Sequence, residues 1–360
     1  MHGANRLEDL LPVARPAHLR DDARLMFELL RARDWWQYKI APTVALFVGT
    51  ALIDRNALLP LWPRAVLLIA GLSVCAAYVS IINDLTDRDD DAAAGKPNRQ
   101  LAYSRSAVLA VLALTIAAGA AIAWSWRGER LLMASYAASW LVFSLYSFQP
   151  FRLKAHGLAG VICDAAGAHL FPALTAILAA SNGRGTDRVW LAAASVWAFA
   201  YGLRGILWHQ LLDSRGDARS HVETFAVRHR AGAVRLGAFV AFPAEIIALA
   251  VLLLRIGKPL PFVALVYYAV VLANRARTAL TLIVVEPKPH CTSVLQEYYD
   301  VYLPLALLFC ATENDWRAVV VLAAYVALFA KGVERLLWDF ASIALTIRDL
   351  ARVPRTRTPL

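Results

Sequence analysis

The sequence predicts an all-α protein, a polytopic transmembrane helical bundle of nine to ten spans. Three observations predict it. Of the 360 residues, 59% are hydrophobic, against about 45–50% in a soluble domain. The apolar residues fall in blocks of roughly 18–25 separated by charged loops, the length a hydrocarbon core demands. The basic residues behind the formal net charge of +10 gather in alternate loops, as the positive-inside rule requires of cytoplasmic ones.

Residues 1–39 read as a cytoplasmic arm with a short amphipathic helix around Ala23–Leu30. The arm contains no signal-peptide core, so the first span doubles as the insertion signal. Trp35 and Trp36, beside Arg31, Arg33 and Lys39, mark the membrane interface as an aromatic belt does. Spans follow at about 40–56, 64–85, 106–124, 131–149, 157–180, 190–212, 234–254, 259–283, 297–312 and 317–341. Residues 40–285 form the main bundle, 286–345 additional membrane helices, and 346–360 a basic cytoplasmic tail. Arg88, Lys96, Arg99, Arg105, Arg152, Lys154, Arg215, Arg219, Arg228 and Arg230 share one side with the arm and the tail, and an even number of spans suits that. Asp300 reads as a helix cap at the ninth span. Cys75, Cys163, Cys291 and Cys310 show no paired spacing and read as small buried hydrophobes. No nucleic-acid motif is present.

The chemistry concentrates after the second span, in Asn83-Asp84-Leu-Thr-Asp87-Arg-Asp-Asp-Asp91. If the helix continues, Asn83, Asp87 and Asp91 recur every four residues on one face. Asp84 lies about 60° from Asp87 at ~100° per residue. Carboxylates facing one way repel unless a cation sits between them, and Mg²⁺ bound by oxygen ligands keeps part of its shell for phosphate. Lys96 and Arg99 follow, ready for the outer oxygens of the same phosphate group. An EF-hand is excluded by spacing, because Ala92 and Asn98 stand where Gly and Glu are needed. A solvated acidic helix end is the plainer alternative.

A second stretch weighs against that alternative. In His209-Gln210-Leu-Leu-Asp213-Ser-Arg-Gly-Asp217, the residues Gln210, Asp213 and Asp217 again share one helix face. Arg204 lies deeper in the same apolar span, where an ionisable group faces a cavity or a partner. It reads as a substrate contact or as half of an ion pair, for which Asp164 is the candidate. The loop Tyr146-Ser-Phe-Gln-Pro-Phe-Arg152-Leu-Lys154 can bring cations to a diphosphate. Each acidic stretch closes the second helix of a four-helix set, an internal echo that would set the two clusters on opposite walls of one cavity.

These residues resemble the UbiA superfamily of intramembrane prenyltransferases. Asn83-Asp84-x-x-Asp87-x-x-x-Asp91 with Lys96-x-x-Arg99 is similar to its first signature. Tyr146-Ser-x-x-Pro150-x-Arg152-Leu-Lys154 is similar to its pattern after the fourth helix, and Asp213-x-x-x-Asp217 followed by Thr224-Phe-Ala-Val to its second signature. The likeness spans roughly residues 30–285. It implies a helical bundle whose cavity opens laterally to lipid in the cytoplasmic (inner) membrane, with the active site facing the cytoplasm. It implies that Asn83, Asp84, Asp87, Asp91, Asp213 and Asp217 hold Mg²⁺, with Asp84, Asp87, Asp213 and His209 in catalysis. Lys96, Arg99, Tyr146, Arg152, Lys154, Arg204 and Gln210 would contact a prenyl diphosphate. Two departures stand out: His209-Gln210 replaces the usual Lys-Asp pair, and Gln100 replaces a common Pro.

The expected activity is Mg²⁺-dependent transfer of an isoprenyl group from a polyprenyl diphosphate to a lipophilic or aromatic acceptor. The alternative is a terpene cyclase of the same fold, in which the donor's own double bonds capture the cation. Phosphoribosyl transfer is a further branch. A cation or solute transporter fits less well, because its acids would sit at the bilayer midplane on broken helices. CDP-alcohol phosphotransferase spacing fails, since Ala218 and Arg219 follow Asp217 at once.

Overall fold

The computed structural model describes Arg31 and residues 35–88, 91–92, 95, 98–219, 222–277 and 280–352. Most of the predicted N-terminal arm and the end of the tail lie outside the described residues. Eight helices follow the predicted order: α1 (Ala41–Ile53), α2 (Trp62–Thr86), α3 (Arg105–Ser125), α4 (Arg130–Ser147), α5 (Leu158–Ser181), α6 (Arg188–Arg219), α7 (Arg230–Ile256) and α8 (Pro259–Ala276). Then come α9 (Leu303–Asn314), α10 (Val319–Leu328) and α11 (Ala330–Arg352).

Among the described residues, six helices are long and apolar enough to cross a membrane, and seven if one bent pair counts as a span. That is fewer than the nine to ten expected. The α1 helix has 13 residues, and the turn Trp36–Ile40 that runs into it carries Gln37 and Lys39, which lower its hydropathy. The α4 helix opens on Arg130 and carries four serines, which dilute its hydropathy. The predicted tenth span is broken by a 90° bend between α10 and α11. The α11 helix also runs to Arg352, so the predicted boundary at 346 falls inside it.

Four prolines shape the bundle. The π-helical turns Trp36–Ile40, Ala166–Leu170, Leu236–Ala241 and Tyr298–Tyr302 each end just before Pro42, Pro172, Pro243 or Pro304. Proline brings no N–H and its ring crowds the carbonyl four residues back, so the preceding turn widens. At Pro304 the freed carbonyl is that of Asp300. It accepts instead from Gln37 Nε2 at 2.7 Å and from the Tyr325 hydroxyl at 3.4 Å. Asp300 is therefore a buried residue in mid-turn and not the predicted cap.

The eighth span also ends sooner than predicted. After α8 the chain forms a two-stranded parallel ribbon, β1 (Thr281–Ile283) with β2 (Cys291–Ser293). The four cysteines are unpaired, as their spacing implied. The main core gathers α1, α2, α5, α6, α7 and α9. Close approach of α3 to α4 depends on Gly119, whose Cβ would collide with the Trp140 indole. Gly119→Ala is expected to cost about 1–3 kcal/mol by overpacking, read as a lowered thermal midpoint in detergent.

Candidate functional site

Both acidic motifs sit where long helices outrun the bilayer. At ~1.5 Å per residue the 32-residue α6 is about 48 Å long, so its last turns project past a ~30 Å core. Its unbroken course keeps Gln210, Asp213 and Asp217 on one face, as the sequence predicts. On α2 the helix formally ends at Thr86. The Asp87 N–H still donates to Asn83 O at 2.9 Å, and the Asp91 N–H to Asp87 O at 2.7 Å, so the four-residue register persists.

Local hydrogen bonds position the first motif. Ser147 at the end of α4 donates to Asn83 Oδ1 at 2.6 Å. Asn98 Nδ2 reaches Asp84 O at 2.7 Å and Asp91 Oδ2 at 3.1 Å. Gln100, standing where Pro is common, donates to Ile81 O at 2.7 Å. Lys96 lies outside the described residues, as does the Arg99 side chain. The Arg99 backbone opens a 3-10 turn, Arg99–Ala102.

The second motif is braced by the segment that follows it. The Ala226 N–H donates to Gln210 Oε1 at 3.3 Å, and the Thr224 hydroxyl to Asp217 Oδ2 at 3.4 Å. Thr224 also bridges by backbone to Gly157 in the loop after α4. That loop packs tightly, because a Cβ on Gly160 would lie 2.6 Å from Leu153 O.

The same loop brings Lys154 to the first acidic motif. Its ammonium forms an ion pair with Asp87 and is attracted by Asp217. Burial nonetheless pushes its pKa down to about 8. Arg152 Nη2 stands 3.6 Å from the same Asp87 oxygen, and Arg31 Nη1 stands 3.6 Å from Asp84. Tyr146 lies within electrostatic reach of Asp164 and Asp217. Asp213 is exposed, with His209 one turn below it and within electrostatic reach.

Beneath this rim is a cavity of about 210 Å³, lined at its polar end by Asn83, His209, Lys39 and Arg31, and deeper by Cys75, Val79 and Phe143. Asp164 lies within reach of Lys39 and His209. Sequence reasoning missed Lys39 and Trp35 as wall residues, taking both for interface anchors. Trp35 is buried against the cavity, and Trp36 donates to Leu328 O at 3.0 Å and stacks on Phe329. Trp208 packs on a cluster with Leu207 and Val161.

Arg204 is committed elsewhere. Nε and Nη2 grip both oxygens of Glu245 at 2.7 and 2.8 Å, and Nη1 donates to Val284 O and Ser293 Oγ. Its partner is thus Glu245 and not Asp164, and the β1–β2 ribbon completes its shell. Glu245 is an acid inside an apolar span, which alone marks a residue with a partner. That signal was available in the sequence.

The donor set suits a hard divalent cation, since Asn83, Asp84, Asp87, Asp91, Asp213 and Asp217 supply only oxygen. Among the described residues, no three His, Cys, Asp or Glu side chains converge closely enough to form a cage unaided. Lys154 and Arg152 stand against Asp87 instead. That fits a Mg²⁺ that takes part of its shell from phosphate better than one enclosed by protein alone.

Residues 43–282 match the model of the UbiA prenyltransferase family. The fold is similar to solved structures of a UbiA homolog from Archaeoglobus fulgidus. One of these is bound to GPP and Mg²⁺ (15% identity, TM-score 0.51, 89% of this chain and 99% of that one). Another is bound to DMAPP and Mg²⁺ (16%, 0.50, 89% and 99%). A third names no ligand (16%, 0.52, 85% and 99%). No curated protein matches the chain. With two thirds of its length matched and a polytopic helical bundle, the chain belongs to the UbiA prenyltransferase family.

Proposed function

We propose that the protein transfers an isoprenyl group from a polyprenyl diphosphate to a lipophilic or aromatic acceptor, with Mg²⁺. The observation that carries this reading is Lys154, paired with Asp87 and attracted by Asp217. Attraction of one ammonium by both motifs supports a single diphosphate site between them. Mg²⁺ held by Asn83, Asp84, Asp87, Asp91, Asp213 and Asp217 would offset the negative helix C-termini and neutralise the leaving diphosphate. Arg152 and Lys154, with Lys96 and Arg99 from the neighbouring loop, neutralise its outer oxygens. The allylic C–O bond then breaks toward the apolar cavity, where Phe143 offers an aromatic ring to the cation. His209, in the cavity wall, is placed to take a proton from the acceptor. The basic loops around Arg152, Lys154, Arg215 and Arg219 support an opening on the cytoplasmic face.

The His209-Gln210 pair favours one second reading, a cyclase. Gln210 spends its oxygen on the Ala226 N–H, which leaves one carboxylate fewer for metal. Purified protein incubated with Mg²⁺ and a prenyl diphosphate tests both. Diphosphate release is expected only with an acceptor present, and is expected to stop with EDTA and return with Mg²⁺. A cyclised hydrocarbon or alcohol formed from the donor alone overturns the transferase in favour of the cyclase.

A further inference from the structure

We infer that α11 is an interfacial helix: it lies flat in the membrane surface on the side of the acidic motifs, with Leu337, Phe340 and Ile347 sunk among phospholipid acyl chains. The helix lies beyond the matched residues 43–282, and this surface is separate from the diphosphate site.

The polarity of α11 is inside out. Arg335, Asp339, Ser342 and Thr346 fall within about 60° of one another at ~100° per residue, and all four face the bundle. Buried Asp339 accepts from Arg275 Nη2 at 2.7 Å and from the Tyr302 hydroxyl at 2.7 Å. Arg335 donates to Glu297 at 2.8 Å, and Asn274 at the end of α8 bonds both Ser342 and Thr346. Leu337, Phe340 and Ile347 share an arc of about 80° on the outside. Each of the three is more than half exposed. A helix with polar partners inside and an apolar outer stripe has lipid as its outer neighbour.

Continuity identifies that neighbour as the bilayer. Phe340 stacks on Tyr267 with ring centroids 4.6 Å apart. Tyr267 shares one face of α8 with Val263, Val266 and Val270, all three exposed. That helix is long and apolar enough to cross a membrane, so the α11 stripe extends a surface that hydrocarbon covers.

Geometry and charge then lay the helix flat. It leaves the apolar α10 at 90°. Its 23 residues include seven charged ones, Lys331, Glu334, Arg335, Asp339, Arg348, Asp349 and Arg352, too many for a span. Lys331, Glu334, Trp338 and Arg348 are exposed on the arc between the apolar stripe and the docking face. Charges with a tryptophan along that edge suit the headgroup level. The side is fixed where α11 begins. Trp36 donates to Leu328 O, and Gly332 approaches Gln37 so closely that a Cβ would lie 2.9 Å from Nε2. The same turn, Trp36–Ile40, sends Lys39 into the cavity beside Asn83, which is the acidic end of α2.

The test uses the full chain in phosphatidylcholine nanodiscs. Cys291→Ser removes the one native cysteine that is not buried, and bimane is attached at Leu337→Cys, Ile347→Cys or Glu334→Cys. All three positions are exposed, so the labels leave the packing intact. Lipids with a nitroxide on acyl carbon 5 are expected to quench the labels at 337 and 347 at least about twofold more than the label at 334, and aqueous iodide to do the reverse. Positions 337 and 347 lie about 15 Å apart along the helix. A flat helix gives both the same ratio of carbon-5 to carbon-12 quenching, and a clearly different ratio overturns the inference in favour of a spanning helix. Equal iodide quenching at all three positions overturns it by placing the stripe in water. Protection of 337 and 347 from both quenchers overturns it as well, and assigns the stripe to a second copy of the chain.

Discussion

Asp87→Ala and Asp213→Ala are each expected to abolish turnover, by at least about 10³-fold in kcat, while the protein stays folded. The magnitude follows from losing several kcal/mol of charge stabilisation on a leaving diphosphate. Asp87 is the acceptor on which Lys154 and Arg152 converge, so its loss removes the anchor for two cations and, in the proposed site, an oxygen ligand for Mg²⁺. Asp217 still attracts Lys154 in that variant, which is expected to keep the ammonium compensated and the fold intact. Asp213 is exposed on the last turns of α6, where alanine disturbs no packing. Diphosphate release under saturating donor measures the first effect, and helical circular dichroism with thermal unfolding measures the second. Near-wild-type release by either variant would remove the site.

Glu245→Ala is expected to have the largest effect on stability. Glu245 is completely buried and Arg204 is 2% exposed. Removing the carboxylate leaves a guanidinium uncompensated in the apolar core, at a cost of about 3–5 kcal/mol. The Tyr299 hydroxyl, which donates to Glu245 Oε1 at 2.9 Å, loses its acceptor as well. Replacing both partners with leucine is expected to cost much less, because no charge is then left buried. Unfolding midpoints of the two variants in detergent check the contrast. Equal midpoints would show that Arg204 is held by its other partners alone.

Legibility differed by the kind of physics involved. The acidic motifs were legible because their spacing matches the helical repeat, and α6 carries Gln210, Asp213 and Asp217 on one face as read. Helix order through α8 was legible from the apolar blocks. Partners distant in the chain were not. Nothing near Arg204 in sequence chooses between Asp164, 40 residues before it, and Glu245, 41 residues on. The span count failed where hydropathy and helicity part company, in short α1 and serine-rich α4. The bend at Phe329 has no proline beside it to announce it, and Gly332, whose N–H donates to Phe329 O, is a weak signal alone. The π turns, by contrast, were there to be read from four Phe-Pro, Leu-Pro or Ala-Pro steps.

The Gly157–Thr224 bridge carries an engineering consequence. It staples a loop from the first half of the bundle to one from the second, so neither can be re-registered alone without dragging an acidic cluster out of alignment. A chimaera that imports the 148–157 segment from a relative is expected to work only when the 217–226 segment travels with it.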